Sequence, residues 1–251
     1  MPDIKSIKTV GIMGFGAFGR LIAEHLQDHF TLRIHDPSLL SFEHQCDVAT
    51  LGDCDLIILA VPVQKLEDAI HQLNPHLKEG TIIVDVGSVK LKAVEVMQRC
   101  LPPFVEVIGT HPLFGPQSAK DGVQGHKVVL CPVRGKSFLR IAAFLKNVLG
   151  LQVFIETADK HDRDVAMVQG LTHLIARILL RMEPFPKRLT TASFDRLVEA
   201  VDMVRHDSEN VYQTIERDNP HAARIRDEFF KNANDILAEL DPDTTLRQIS
   251  N

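Results

Sequence analysis

The stretch Lys8–Leu26, KTVGIMGFGAFGRLIAEHL, decides the fold. Its opening, KTVGIMG, reads as a short buried strand, and the part from Ala17 onward reads as a helix. Between them lies Gly14-Phe15-Gly16-Ala17-Phe18-Gly19, a G-x-G-x-x-G run. Alone the pattern says little; a strand before it and a helix after it give it meaning. Gly14 permits a tight turn, Gly16 lets backbone approach a pyrophosphate, and Gly19 lets the helix pack closely on the strand. Phosphates would sit on the free N–H groups and the positive end of the helix. All six residues are therefore candidate dinucleotide contacts.

Working outward, TLRIHD is a second strand ending in Asp36, 17 positions beyond Gly19. A carboxylate there can bond a ribose 2′-hydroxyl and would repel a 2′-phosphate, so NAD is the expected cofactor. NADP stays the alternative, because Arg33 and His35 lie close by. Further strands follow in CDLIILAVP, TIIVDVGS, VEVIGTHP, HKVVLCP and LQVFIE. They alternate with helical VQKLEDAIHQLNPHLKEG, VKLKAVEVMQRC and KSFLRIAAFLKNVLG. Short apolar strands separated by helices mean βαβ units and a largely parallel sheet covered on both faces. Val61 and Pro62, which close the third strand on the ligand edge of such a sheet, join the cofactor candidates.

After Glu156 the pattern becomes helical. Ala158–Met182 can form one long helix, EPFPK breaks it, and Ala192–Val204 and Ser208–Leu240 are helical again; DPDTTLRQISN reads as a tail. The expected fold class is α/β, a doubly wound Rossmann-type domain over 1–156 followed by an all-helical domain over 157–251. The second part is rich in apolar helix faces, and a homodimer through it would bury them.

The 251 residues allow two modest domains, and 45% hydrophobic with 24% charged residues is the balance of a soluble globular protein. A net charge of −5 argues against nucleic acid or an anionic membrane as the main partner. Cys46, Cys54, Cys100 and Cys131 form no C-x-x-C pair and read as reduced thiols, with no metal site expected. No signal peptide and no transmembrane run is recognised, so the expected location is cytoplasmic.

Two further motifs fall on the ligand edge. In DVGSVK, Ser88 either faces the nicotinamide and substrate or caps the helix starting at Val89, and both can hold. In GTHPLFGP, His111 ends a strand, and Pro112 disfavours helical backbone at it. An imidazole titrates nearest neutrality, which suits proton transfer beside hydride transfer. On its position alone, a lone histidine at a strand end is more often structural than catalytic.

GTHPLFGPQSAKDG closely resembles the HPMFGP signature of the prephenate and arogenate dehydrogenases of tyrosine biosynthesis, with Leu113 where methionine is common. The resemblance continues through DVGSVK and ADKHDRDVAMVQGLTHLIARIL, in the family's order, over nearly the whole chain. It implies oxidative decarboxylation of prephenate or arogenate with hydride transfer to NAD, giving 4-hydroxyphenylpyruvate or tyrosine. His111 matches the histidine that accepts a hydrogen bond from the ring hydroxyl. Ser88 matches a serine supporting the histidine or that hydroxyl. His173 resembles a position near the substrate, its other reading being the flank of a core-facing helix. The substrate is a dianion, and the family's helical domain meets it with an arginine; SFDRLVEAVDMVRHDS offers Arg196 and Arg205. His161, before Asp162, caps or orients the long helix in this reading and receives no chemistry. No mutase domain precedes the glycine loop and nothing after Leu240 is long enough for a regulatory domain, so feedback through such a domain is not expected, while tyrosine could still compete at the active site.

A 3-hydroxyacid dehydrogenase is one rival, but that class carries K-x-x-x-N on the corresponding helix, and ADKHDRDVAMVQGLTH lacks it. A non-catalytic NAD-binding sensor is another; it would be indifferent to His111→Ala.

Overall fold

The computed structural model describes residues 7–39 and 41–240. The chain divides into two units, Met1–His161 and Asp162–Asn251. The expected break at 156/157 lies five residues earlier, before the helix within which the division falls.

In the first unit, strands β1 (Thr9–Met13), β2 (Thr31–His35), β3 (Leu56–Leu59), β4 (Ile82–Asp85), β5 (Glu106–Pro112), β6 (Lys127–Arg134) and β7 (Gln152–Ile155) form one sheet. Its order is β2-β1-β3-β4-β5-β6-β7. The first five strands are parallel, β6 runs antiparallel to β5, and β7 is parallel to β6. The helices are α1 (Ala17–Leu26), α2 (Val48–Gly52), α3 (Leu66–Leu73), α4 (Lys90–Cys100) and α5 (Phe138–Asn147).

Alternation along the strands sorts the core into two layers. Val10, Ile12, Leu32, Ile34, Ile58 and Val84 join Leu21 and Leu26 of α1, with Ile141 and Phe144 of α5 packed against them. Met13, Ile57, Leu59, Ile83 and Val107 face the other way and join Leu51 of α2, Leu66, Ile70 and Leu73 of α3, and Ala93 and Met97 of α4. Every residue of β3 and β4 is buried, as strands covered on both faces must be. The short α2, absent from the sequence reading, fills the β2–β3 crossover; Asp47 caps it by accepting from Thr50 N at 2.7 Å.

Strand order reverses around β1, with β2 on one side and β3 on the other. That is a topological switch point, where the carboxyl ends of strands diverge and leave a crevice. Gly14 N donates to His35 O and Ala60 N to Met13 O, both at 2.8 Å, so the glycine turn is fixed at this crevice.

The remaining helices are α6 (Ala158–Val165), α7 (Leu171–Leu180), α8 (Ala192–Val204), α9 (Glu209–Gln213) and α10 (Ala222–Leu240). The expected long helix is continuous to Leu180 but contains a π turn, Ala166–Gly170. The expected helix over 208–240 is divided: α9 runs into a second π turn, Thr214–Asp218, and Asn219 then turns extended. Pro220 disfavours helical backbone at Asn219. The Asn219 side chain holds the break by donating to Asp162 O at 2.8 Å and accepting from His221 N at 2.9 Å. The tail after Leu240 lies outside the described residues.

Candidate active site in the nucleotide-binding unit

Each glycine of the turn answers a separate constraint. Gly14 has φ +102°, and a Cβ there would stand 2.5 Å from Ala60 O. A Cβ on Gly19 would stand 2.2 Å from Gly14 O, so only glycine lets α1 close on the turn. A Cβ on Gly16 would meet nothing within 4 Å. That space opens directly before α1, whose N-cap is Gly16 without a side-chain cap. The first amides of a helix have no partner inside it, so the turn presents donors to an open cradle suited to a pyrophosphate. Val61 lines the turn, its Cγ1 3.1 Å from the same Gly14 Cβ position, and Pro62 follows at the exit of β3.

Asp36 is tied to this turn. Its Oδ2 accepts from Phe15 N at 2.7 Å, and its Oδ1 accepts from Ser38 N and Ser38 Oγ. Partial burial works against its charge, but the bonds from Ser38 and Phe15 outweigh it and hold the carboxyl below its ordinary value. A carboxylate offers about four acceptor positions, so Oδ2 keeps one for a ribose hydroxyl. The Phe15 ring stacks on Phe42 at 4.8 Å, with the Arg20 guanidinium 4.4 Å from its centroid. Phe18 turns the other way, into the core layer of α1 and towards Phe114 at 6.3 Å. Its side chain is therefore packing, and only its backbone belongs to the cradle.

Three strands along the same edge, His111 stands one residue before the end of β5 and is 3% exposed. Its Nδ1 lies 2.9 Å from Nε2 of His161, itself 3% exposed, with the rings at 69°. Burial foremost, then the His161 ring and the Lys90 ammonium, push the His111 pKa well below its ordinary value. The imidazole is neutral at pH 7 and has a lone pair to offer.

DVGSVK builds the floor behind it. Lys90, fully buried, donates to Asp85 and to Thr110 O, the latter at 2.6 Å. Asp85 accepts from Gly87 N at 2.9 Å and Thr110 N at 3.2 Å, and the Thr110 hydroxyl donates back to Asp85 O. A buried ion pair thus clamps the residue preceding His111. Ser88 is half-buried in this turn, but the N-cap of α4 is Val89, so the capping reading of Ser88 is corrected.

In the second unit, His173 is 5% exposed, with Nδ1 2.8 Å from Gln169 O and Nε2 2.9 Å from Asp207 Oδ2. Arg205 is not an open fork. It donates from Nη1 and Nη2 to Glu183 at 3.0 and 2.6 Å and from Nε to Asp202 at 2.7 Å. Two local carboxylates hold the fork, one of them three residues back in the chain. Arg196 is exposed on α8. Glu67, His71 and Cys100 lie close together in the first unit, but Arg99 already forks both Glu67 oxygens at 2.8 Å.

Sequence reading missed the partnership of His161 and the burial of Lys90. A histidine beside an acid at a helix start reads as a cap. A lysine in an amphipathic helix reads as surface.

The family model described as prephenate dehydrogenase, nucleotide-binding domain, matches residues 28–154, half the chain. The match starts beyond the glycine turn, which stands on its own geometry. Among similar proteins are a probable arogenate/prephenate dehydrogenase of Methanocaldococcus jannaschii, 27% identical over 72% of this chain and 43% of that protein; arogenate dehydrogenase 1 of Arabidopsis thaliana, 27% identical over 88% and 37%; and the T-protein of Enterobacter agglomerans, 31% identical over 68% and 43%. The chain spans less than half the length of these curated relatives. A crystal structure of A. aeolicus prephenate dehydrogenase with hydroxyphenyl propionate and NAD+ superposes with a TM-score of 0.74 at 20% identity, covering 99% of this chain and 96% of that one. Synechocystis arogenate dehydrogenase gives 0.68 at 18%, covering 96% and 97%. At such identity the likeness is one of fold.

Proposed function

Because the chain belongs to the prephenate dehydrogenase family, we propose that it oxidatively decarboxylates prephenate or arogenate with NAD as cofactor. The observation that carries this reading is His111: a buried, neutral imidazole near the carboxyl end of β5, on the same sheet edge as the glycine turn. The cradle of Gly14–Gly19 fits a dinucleotide, since Gly16 faces open space beside the uncapped start of α1. When bound, NAD supplies the hydride acceptor.

The chain's own residues handle the proton. As the hydroxyl-bearing carbon loses hydride, its oxygen gives up a proton, and His111 accepts it. The C–C bond to the ring carboxylate breaks, CO2 leaves, that electron pair completes an aromatic ring, and the phenolate oxygen takes the proton back from His111. Aromatisation makes the step effectively irreversible. Ser88 supports the imidazole or the same hydroxyl, and His173 belongs to the substrate-binding set. Arg196 and Arg205 are the two candidate carboxylate receptors, Arg205 exchanging its local carboxylates for that of the substrate. The free thiols suit a reducing compartment, and we assign the enzyme to the cytoplasm.

The reading is tested by following reduction of NAD and NADP with prephenate and with arogenate. NAD turnover is expected with at least one substrate, at a kcat/KM about tenfold or more above NADP, since Asp36 repels a 2′-phosphate. Asp36→Ser should narrow that ratio. No reduction with either substrate overturns the reading; equal use of both cofactors overturns the role of Asp36.

We further propose a homodimer through the helical unit. Leu197 and Met203 of α8 and Phe230, Ile236, Leu237 and Leu240 of α10 are exposed apolar residues, and a second copy would cover such helix faces. Light scattering on a sizing column is expected to give twice the chain mass at micromolar concentration; a single-chain mass would refute it.

A further inference from the structure

The reaction as described leaves His161 without a task, yet it is buried against the one nitrogen of His111 that faces another ring. We propose that His161 is a positioning residue: it accepts a hydrogen bond from His111 Nδ1 and so keeps His111 Nε2 as the lone-pair nitrogen that takes the substrate proton. The inference rests on the proposed role of His111 and adds the residue that sets its tautomer.

The two rings face each other nitrogen to nitrogen at 2.9 Å, and one proton lies between them. There are two arrangements. In one, His111 Nδ1–H donates to His161 Nε2, and His161 carries its own proton on Nδ1. In the other, His161 Nε2–H donates to His111 Nδ1, which moves the proton of His111 to Nε2. A ring protonated at Nε2 can donate to a hydroxyl but cannot deprotonate it. Only the first arrangement makes a base.

The pair also discriminates between ground state and transition state. When His111 takes a proton on Nε2, its Nδ1–H bond to His161 becomes charge-assisted and strengthens without any atom having to move. In the second arrangement, the same proton transfer has no lone pair to go to. An interaction that strengthens as charge develops lowers the barrier rather than only the ground state. Burial of both rings keeps water from replacing either partner, so a lost bond here is not made up by solvent. The 69° angle between rings lets the lone pair in the plane of one ring meet the N–H of the other edge-on.

The test compares His161→Leu, His161→Gln and His111→Asn in the full chain, with kcat and KM resolved and dinucleotide binding measured separately. His161→Leu should lower kcat about 100-fold with KM and NAD binding near wild type, at the lower end of what general-base catalysis contributes. His161→Gln, whose Oε1 can accept from Nδ1, should recover most of that loss. Nitrogen-15 spectra of the histidine rings read the tautomer without reference to activity. The His111 signals, identified by their absence in His111→Asn, should show Nδ1 protonated and Nε2 bare in wild type, and a mixture in His161→Leu. Protonated Nε2 in wild type overturns the proposal, and so does full kcat in His161→Leu. If His111→Asn turns over normally, the reading of His111 itself fails; if only His161→Leu does, His111 stands and His161 alone is dismissed. Should His161→Leu not fold, the glutamine variant and the wild-type spectrum still decide.

Discussion

Replacing His111 by Asn is expected to lower kcat by about 10²- to 10⁴-fold, the range over which a positioned general base contributes, while NAD binding stays near wild type. Asn keeps a polar side chain in the buried site but has no basic nitrogen. The glycine turn lies on β1, separated from β5 by β3 and β4, so the cradle should not register the change. Single-turnover NADH formation and a fluorescence titration with NAD separate the two effects. Near-normal turnover in this variant rules out the proton role. A second readout uses stability. The His111 pKa is depressed in the fold, by burial first and then by His161 and Lys90, whereas the unfolded chain titrates it near about 6.5. Below that pH the unfolded chain binds a proton that the native chain refuses. The contribution is therefore complete above the unfolded pKa and is lost as pH falls from there towards the folded value. Urea midpoints taken at neutral and mildly acidic pH should fall less for His111→Asn than for wild type. Equal slopes would mean that His111 is not held neutral.

What the sequence made legible follows from how narrow each physical constraint is. Gly14 and Gly19 are legible because a Cβ at either would overlap a carbonyl oxygen, so the backbone dictates the residue type. The two core layers are legible because β1, β3 and β4 send apolar residues to both faces, whereas β2 is apolar on one. His111 is half legible: its place at a strand end before Pro112 can be read, but its partner lies 50 positions away, and no local pattern joins them. Lys90 is the plainest miss, since lysine is almost never fully buried without a partner, and its partner is five residues back in the same motif. Of the two carboxylates on Arg205, Asp202 stands three residues back and could be read, whereas Glu183, 22 positions away, arrives only with the fold. The π turns escaped because one extra residue in a turn barely disturbs apolar spacing. The break at Asn219–Pro220 was there to be read.

Lys90→Met should cost about 3–5 kcal/mol, the usual penalty for leaving one member of a buried ion pair behind. Asp85 is 2% exposed and Lys90 is fully buried. Without the ammonium, the Asp85 carboxylate keeps the Gly87 and Thr110 amides but loses its counter-charge, and Thr110 O loses a donor. For a domain whose total stability is of the order of 5–15 kcal/mol, that is a large share. At about 2–4 °C per kcal/mol for a chain of this size, the midpoint should fall by roughly 6–20 °C. Neutralising the survivor separates charge from packing. Lys90→Met with Asp85→Asn should be less destabilised than the sum of the two single variants, because the second change removes the stranded charge. The function responds through the same clamp. Lys90 holds the carbonyl of the residue before His111, and its charge is one of the causes that keep the imidazole neutral. Where Lys90→Met still folds at low temperature, His111 should therefore titrate at a higher pH than in wild type, and the acid limb of kcat should move with it. An unfolding midpoint unchanged from wild type would show that the ion pair contributes nothing net. An acid limb that stays put would show that the lysine holds the strand end without tuning the base.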